Sequence, residues 1–455
     1  MRDFTRGPIL VPLLAFAGPT IAGNLLQISY NLVDTLWIGR LGGDALAAVS
    51  VSLLLFTLLF SFSWGLSSSG TAMVSQYFGA GQRQHLGRVS ANLLLLFLVV
   101  STAAAATMLL GRTTVLDWLA TPPEIQADAA LYLGINLLGL PAFYLFVVIN
   151  ALLRGVGDSV SPLKISVVGN VLNFILDPLL IFGLGPVPGL GVAGAAWATV
   201  LARALAVAWG LYLLQRPENP TRVGRGDLRI DPGLLITAVR VGVPAGAANL
   251  INSLGGVLLV RFVTPFGPDP VAAHGVGLRI ESVAVLPAVA MGMASGAWAG
   301  QNIGAGQPDR AMRGSVAAMA VTFGGLVVIG RIAAWAAPGL VGVFAPGEPG
   351  VIAFGTRYLE ILSLSWPFFG AVVVVSQTLR GAGDTLTNLA LAAINLLLLR
   401  LPLAYLFSTA MGLGAVGVWW GMTASDLGMG VVAFIYLRSG RWLRHGLVRP
   451  APGGG

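Results

Sequence analysis

The sequence predicts an all-α integral membrane protein whose twelve transmembrane helices form two pseudo-symmetric six-helix bundles. Three observations predict this class: an apolar composition, a regular series of long apolar runs, and an internal repeat. Hydrophobic residues make up 56% of the 455 residues and charged residues only 10%, with a mean hydropathy of +0.83. Soluble globular domains carry roughly 25% charged residues, so this chain has too few charges to cover a water-exposed surface.

Apolar runs long enough to cross a hydrocarbon layer of ~30 Å recur along the whole chain. Glycine and proline clusters or charged loops separate them. The first run, from Ile9 to about Leu36, exceeds the roughly 7–15 residues of a cleavable signal sequence, so we interpret it as a retained helix. The predicted helices cover about residues 9–36, 45–78, 86–112, 127–153, 162–184, 191–215, 232–264, 270–303, 310–336, 351–379, 386–408 and 415–438.

Basic residues concentrate on one side of these helices, and cytoplasmic loops are the ones enriched in Lys and Arg. We therefore expect a multi-pass protein of the cell inner membrane with both termini in the cytoplasm. The cations are scattered in short loops, so the net charge of +8 indicates membrane topology and not nucleic-acid binding. The basic side receives 18 of the 26 Lys and Arg: Arg2, Arg6, Arg83, Arg88, Arg154, Lys164, Arg216, Arg222, Arg225, Arg229, Arg240, Arg310, Arg313, Arg380, Arg438, Arg441, Arg444 and Arg449.

The two halves of the chain repeat at an offset of about 225 residues. "QYFGAGQ" (76–82) matches "QNIGAGQ" (301–307), "LRGVGDS" (153–159) matches "LRGAGDT" (379–385), and "GLGVAG" (189–194) matches "GLGAVG" (412–417). An offset of six helices gives a parallel repeat about an axis along the membrane normal. This predicts an N-terminal lobe at 1–215, a cytoplasmic linker at 216–231, a C-terminal lobe at 232–440 and a cytoplasmic tail at 441–455.

Five motifs resemble the multidrug and toxic compound extrusion (MATE) family and, in order and repeated, cover nearly the whole chain. They are "NLVDTLWIGRLGGDALAAV", "GTAMVSQYFGAGQ", "LLRGVGDSVSP", "GNVLNFILDPLLIFG" and "GLGVAGAAWAT". The resemblance implies a two-lobed transporter that exports amphipathic, often cationic compounds against an inward gradient of H⁺ or Na⁺. Pro19 in the first helix can act as a hinge, because proline removes a backbone hydrogen bond.

Polar residues form one face on each of two predicted helices. Asp34 and Asp177 stand out, since a carboxylate at bilayer depth costs at least ~2.5–3.5 kcal/mol and usually has a function. The alternative is that the amides and acids only join helices through hydrogen bonds. The faces comprise Asn24, Gln27, Asn31 and Asp34 on the first helix and Asn170, Asn173 and Asp177 on the fifth, with Tyr30 and Thr199 as further polar groups.

Position by position, Asp34, Asn173, Asp177 and Thr199 resemble the cation site of the DinF-like branch of the family. The resemblance implies H⁺ or Na⁺ as the coupling ion, with Na⁺ held as a metal by these four residues, and no other cofactor is expected. The repeat supports a site confined to one lobe, because Leu259 takes the place of Asp34 and Arg400 or Leu401 that of Asp177. Other branches carry acids in helices seven and ten, a pattern this sequence lacks.

Three further acids remain without an assigned role. We expect Glu281 to neutralise the neighbouring Arg279. Glu360 lies in the tenth helix. Asp426 can pair with Arg203, Arg261, Arg331 or Arg400, and the sequence does not choose among them.

The absence of cysteine excludes disulfides and thiolate chemistry. No Ser-His-Asp arrangement is recognisable, so we predict a transporter and not an enzyme. Its partners would be amphipathic small molecules and membrane lipids, with a monomer as the expected state. Two alternatives stay open: a flippase for lipids or lipid-linked sugars from the same superfamily, and an ion channel, which would need a continuous polar pore.

Overall fold

The computed structural model describes residues 1–184 and 187–448. Within these ranges nine helices are long and apolar enough to cross a membrane, and three bent helix pairs bring the total to twelve spans. The predicted fold class is therefore confirmed. The spans, called helices 1 to 12, are Leu10–Gly39, Gly43–Gly79, Leu86–Trp118, Pro123–Leu138 with Leu140–Gly155, Val160–Phe182, Gly191–Leu214, Pro232–Val263, Pro268–Ala284 with Leu286–Gly304, Pro308–Trp335, Pro349–Leu362 with Trp366–Ala382, Thr385–Ala410, and Gly414–Ser439.

Short elements connect some of the spans. A small antiparallel hairpin pairs β1 (Gly183–Leu184) with β2 (Val187–Pro188) after helix 5. A further helix, Ala337–Phe344, follows helix 9. Short 3₁₀ turns cover Arg83–His85, Arg225–Asp227, Thr264–Phe266 and Arg441–His445.

Helices 4, 8 and 10 were each predicted as one helix, and each is bent in the structure. The bends measure 46°, 45° and 57°. A proline starts the second half of each one: Pro141, Pro287 and Pro367. Proline lacks a backbone N–H and its ring clashes with the preceding turn, so a helix bends at that point. Pro141 and Pro367 are equivalent in the repeat, and both lobes therefore bend the same helix.

Helix 11 departs from regular α-helix twice. It contains π-helical stretches at Ile394–Arg400 and Leu406–Ala410, separated by the short α-helix Leu401–Tyr405. Single π-helical turns are rare and frequently lie at functional sites. The first stretch ends at Arg400, a membrane-embedded cation whose partner is described below.

The two lobes are joined by a pair of equivalent glutamines. Gln76 at the end of helix 2 donates to the carbonyls of Gly381 and Ala382 at the end of helix 10, at 3.1 Å each. Gln301 at the end of helix 8 donates to the carbonyl of Gly155 at the end of helix 4, at 3.0 Å. Each glutamine therefore binds the free carbonyls at a helix end in the other lobe. These four helix ends define what we call the amino-terminal face of the molecule.

The N-terminal segment reinforces this closure. The backbone N–H of Phe4 donates to Oε1 of Gln301 at 2.9 Å, and the Phe4 ring lies 5.6 Å from the ring of Trp298. Residues from helix 1, including Phe16, share an apolar cluster with helices 8 and 10. On the other face, Trp118 and Trp335 end helices 3 and 9 and are more than four-fifths exposed, as expected for tryptophans at a membrane–water interface.

The predicted linker and tail lie along the amino-terminal face. Helix 6 ends at Leu214 and helix 7 begins at Pro232, and Asp231 forms an ion pair with Arg88 at 3.3 Å. In the tail, the backbone N–H of Leu447 donates to Oε1 of Gln76. Arg449 and the rest of the predicted tail fall outside the described residues.

Candidate functional site

A cavity of about 420 Å³ lies inside the N-terminal lobe, between helices 1, 2, 4 and 6. We call it the N-lobe cavity. Asp34 provides its one acidic side chain among the described lining residues, and Arg203 on helix 6 provides a cation. Aromatic rings from helices 2 and 4 cover much of the remaining wall. The predicted residues that line it are Gln27, Tyr30, Asn31, Asp34 and Thr199.

The other predicted residues lie next to this cavity or away from it. Asn173 and Asp177 are fully buried on helix 5, behind the wall. Asn170 lines a small adjoining space shared with Tyr30 and Thr199. Asn24 faces a different cavity, between the lobes, described below. The structure thus brings helices 1, 5 and 6 together as predicted but turns Asn24 away.

Hydrogen bonds connect part of the cluster. The Tyr30 hydroxyl donates to Oγ1 of Thr199 at 3.1 Å and links helix 1 to helix 6. On helix 5, Nδ2 of Asn173 donates to Oδ1 of Asp177 at 3.0 Å. Hydrogen bonds of this kind, between and along helices, are also what the structural alternative weighed from the sequence requires.

Four buried polar atoms of the cluster have no hydrogen-bond partner among the described residues: Oδ1 of Asp34, Oδ2 of Asp177, Nδ2 of Asn170 and Nδ2 of Asn24. The two carboxylates are close enough to interact electrostatically. A buried charge is costly unless it is paired. Two neighbouring carboxylates with unpaired oxygens therefore fit a proton or a hard cation, which prefers oxygen ligands.

The described residues contain no group of three or more His, Cys, Asp or Glu side chains arranged to hold a metal. The donors available to a cation near Asp34 and Asp177 are carboxylate, amide and hydroxyl oxygens. This donor set suits Na⁺ and does not suit a transition metal that prefers nitrogen or sulfur.

Arg203 is a cavity residue that the site prediction omitted. Its guanidinium lies 4.8 Å from the ring centroid of Phe143 and 6.0 Å from that of Tyr30, distances at which a cation is attracted to an aromatic face. Its charge also acts on Asp34. Within the described residues, no carboxylate lies within 4.0 Å of Arg203.

The internal repeat points to Arg203. Asp177 precedes Arg203 by the same number of residues that separates Arg400 from Asp426. Each lobe therefore carries an acid and an arginine at equivalent positions, in opposite order. In the C-terminal lobe the two charges are paired: Arg400 forms an ion pair with the buried Asp426, and Ser365 lies 3.3 Å from the Asp426 carboxylate. This contact selects Arg400 among the candidate partners of Asp426.

The expectation that Glu281 neutralises Arg279 is wrong. Glu281 instead accepts a hydrogen bond from the Tyr358 hydroxyl on helix 10 at 2.8 Å, and it interacts electrostatically with Arg400 and Asp426. Residues two apart on a helix do not face each other, which explains why the sequence neighbour is not the partner. Glu360 forms an exposed ion pair with Arg357 at 3.3 Å, an interaction between residues three apart.

A second cavity of about 670 Å³ lies between the two lobes, and we call it the interlobe cavity. Both lobes contribute its walls, and Gln27 and Trp64 line it as well as the N-lobe cavity. Its charged lining consists of Arg154, Arg380 and Arg400, with no acidic residue among the described residues that line it. The charged lining of this cavity is therefore cationic, whereas the N-lobe cavity carries Asp34.

This architecture, with two repeated lobes around a central cavity and buried carboxylates in one of them, defines a multi-pass membrane transporter. The chain belongs to the MatE family, whose model matches residues 19–179 and 244–406, one segment in each lobe. It is 32% identical to the probable multidrug resistance protein YpnP of Bacillus subtilis (strain 168), over 97% of each chain. It is 28% identical to the FAD transporter of Shewanella oneidensis (strain MR-1), over 94% of each chain.

The fold matches solved structures over almost its full length. One is described as the outward-facing conformation of a multidrug resistance MATE family transporter of the MOP superfamily. It superposes with a TM-score of 0.90 over 97% of this chain and 98% of that one, at 24% identity. The family model and the relatives confirm the resemblance to the MATE family stated from the motifs, and the chain is a transporter.

Proposed function

We propose that this protein is a secondary active antiporter that exports amphipathic organic molecules in exchange for H⁺ or Na⁺. One observation carries the proposal: Asp34 and Asp177, whose charges interact, each have a carboxylate oxygen with no hydrogen-bond partner among the described residues. Binding of a proton or a cation offsets the burial of these negative charges. Ion binding can therefore shift the equilibrium between the two conformations of the lobes. Relatives named for multidrug resistance and for FAD support an amphipathic organic substrate.

We propose that the amino-terminal face is cytoplasmic and that the chain lies in the inner membrane. The bias of Lys and Arg toward the loops and helix ends of this face supports that orientation. With the amino-terminal face cytoplasmic, the closure by Gln76 and Gln301 seals this conformation on the cytoplasmic side. The coupling ion then reaches Asp34 from outside, along its electrochemical gradient.

Alternating access follows from the repeat in this proposal. The ion neutralises Asp34 and Asp177, and helix 1 bends at Pro19, where the backbone lacks a hydrogen bond. Because Tyr30 joins helix 1 to Thr199 on helix 6, the bend deforms the N-lobe cavity, which shares Gln27 and Trp64 with the interlobe cavity, and so drives release of the substrate. Release of the Gln76 and Gln301 contacts then lets the lobes open toward the cytoplasm.

The finer assignments form part of the same proposal. Asp34, Asn173, Asp177 and Thr199 form the ion site of a DinF-like member, and the transporter works as a monomer. A flippase for lipids or lipid-linked sugars is the second candidate, and the arginine lining of the interlobe cavity favours it, because such substrates carry phosphate groups.

The test is export from proteoliposomes with each ion gradient imposed alone. Purified protein would be reconstituted with fluorescent amphipathic probes, one cationic and one anionic. The proposal requires that an inward gradient of H⁺ or of Na⁺ accelerates export of at least one probe and that collapsing the gradient abolishes the acceleration. Transport that is indifferent to both gradients would contradict ion coupling.

A further inference from the structure

We propose that the interlobe cavity binds organic anions, with Arg154 and Arg380 contacting a substrate carboxylate or phosphate. This inference rests on the proposed transport function and specifies its substrate class. The sequence placed both arginines among the cations of cytoplasmic loops. The structure places them in the last turns of helices 4 and 10, where they line the cavity from opposite lobes.

Neither arginine has an acidic partner. Among the described residues, no carboxylate lies within 4.0 Å of Arg154 or Arg380. Arg154 donates to the backbone carbonyl of Asn150 and reaches Sδ of Met293 in the other lobe, at 3.5 Å. Arg380 donates to Oδ1 of Asn249 at 2.6 Å. A guanidinium has five N–H donors, so neutral groups such as these leave its charge uncompensated.

Arg380 is the more buried of the two arginines. It is only 9% exposed, and its Nε has no hydrogen-bond partner among the described residues. A buried charge without an opposite charge beside it raises the free energy of the protein. An anion entering the cavity would supply the missing partner with charge-assisted hydrogen bonds.

The repeat makes the cationic site symmetric across the lobes. Arg154 and Arg380 occupy equivalent positions in the two "LRG" motifs, and Asn24 and Asn249, equivalent in helices 1 and 7, also line the cavity. Arg400 adds a third cation, whose charge Asp426 already balances. Two uncompensated guanidiniums thus stand on either side of one space, whose apolar walls include Phe369, Val373 and Leu286. This combination suits an amphipathic anion.

Riboflavin and riboflavin 5′-phosphate form a matched pair of fluorescent probes, because they differ only in the phosphate. We expect the purified protein to bind and transport the phosphate ester in preference to riboflavin. Charge-assisted hydrogen bonds contribute enough that Arg380→Gln or Arg154→Gln should weaken binding of the ester by about ten- to a hundredfold, with little change for riboflavin. Arg313→Gln is the control, since this exposed cation lies on the same face outside the cavity.

Conservative variants protect the test against misfolding. Arg154→Lys and Arg380→Lys keep the charge but lose the planar, two-pronged donor, so they should retain the preference for the ester with reduced affinity. Equal binding of the two flavins by the wild-type protein would overturn the proposal, and so would an undiminished preference in the Arg380→Gln and Arg154→Gln variants. Gradient-driven export of a cationic probe alone would overturn the anion site while leaving the transport function intact.

A lipid headgroup is the other source of the same chemistry. Translocation of fluorescently labelled phosphatidylglycerol would be followed in the same proteoliposomes. Arginine-dependent translocation of this lipid supports the anion site and identifies the headgroup as its source. Arginine-dependent export of riboflavin 5′-phosphate supports it with a soluble organic anion as the source.

Discussion

Replacing Gln301 by alanine should open the amino-terminal face. The change removes the donor to the Gly155 carbonyl and the acceptor for the Phe4 N–H, at 3.0 and 2.9 Å. Leaving a buried partner without its hydrogen bond costs about 1–3 kcal/mol, so two such partners destabilise the closed interface by about 2–6 kcal/mol. At 1.4 kcal/mol for each factor of ten, the ratio of closed to open protein falls roughly 30- to 20,000-fold.

The assay uses the absence of native cysteine in this chain. A single cysteine replacing Ser376, which lines the interlobe cavity, reports access from the amino-terminal face in inside-out vesicles with an impermeant maleimide. We expect labelling at least about tenfold faster with Gln301→Ala than without it, as the population shift requires. Gln307→Ala serves as the control, because this exposed glutamine of the same motif lies on the same face. Equal labelling rates for Gln301→Ala and Gln307→Ala would refute the role of the glutamine pair.

Three further predictions concern the ion site, the C-terminal lobe and the topology. Asp177→Asn should impair gradient-driven export, whereas Leu259→Ala should leave coupling intact at matched membrane abundance; equal losses would misplace the site. Arg400→Gln should reduce the unfolding free energy by about 3–5 kcal/mol, because it leaves Asp426 buried without its partner. Replacing both Arg400 and Asp426 by leucine should lower the melting temperature less than Arg400→Gln does. An equal or larger decrease in the double variant would argue against the ion pair. A single cysteine replacing Arg222 should react with impermeant reagents in inside-out vesicles, and labelling from outside intact cells would reverse the assigned orientation.

The sequence predicted the helices well because their apolar length depends on local composition. Bends were harder to predict: helix 4 breaks at Gly139, within a mostly apolar stretch. Pro141 marked the place, but a proline in the middle of a span does not by itself fix the bend angle. Pro402 lies between the two π-helical stretches of helix 11, but a proline within a span does not by itself specify a π-helix.

The site was predicted in part, since helical spacing determines which residues share a face. Asp34, Asn31 and Gln27 line one cavity as expected, whereas Asn24 turns toward the space between the lobes. Contacts between segments that are distant in the sequence could not be predicted, and the hydrogen bond from Tyr358 to Glu281 is one of them. Arg203 could have been predicted from the sequence. The spacing from Asp177 to Arg203 equals the spacing from Arg400 to Asp426, which reveals the charge pair with reversed signs.

The ionisable carboxylate of Asp34 is the central claim, and Asp34→Asn tests it most directly. Asparagine keeps nearly the same shape and its hydrogen-bonding capacity but cannot ionise or release a proton. The measurement is gradient-driven export by the variant and the wild type at matched membrane abundance, with substrate binding measured in detergent. We predict that Asp34→Asn folds, reaches the membrane and still binds substrate, yet loses export driven by the ion gradient. Wild-type export rates in the variant would contradict the account and leave Asp34 as a structural residue.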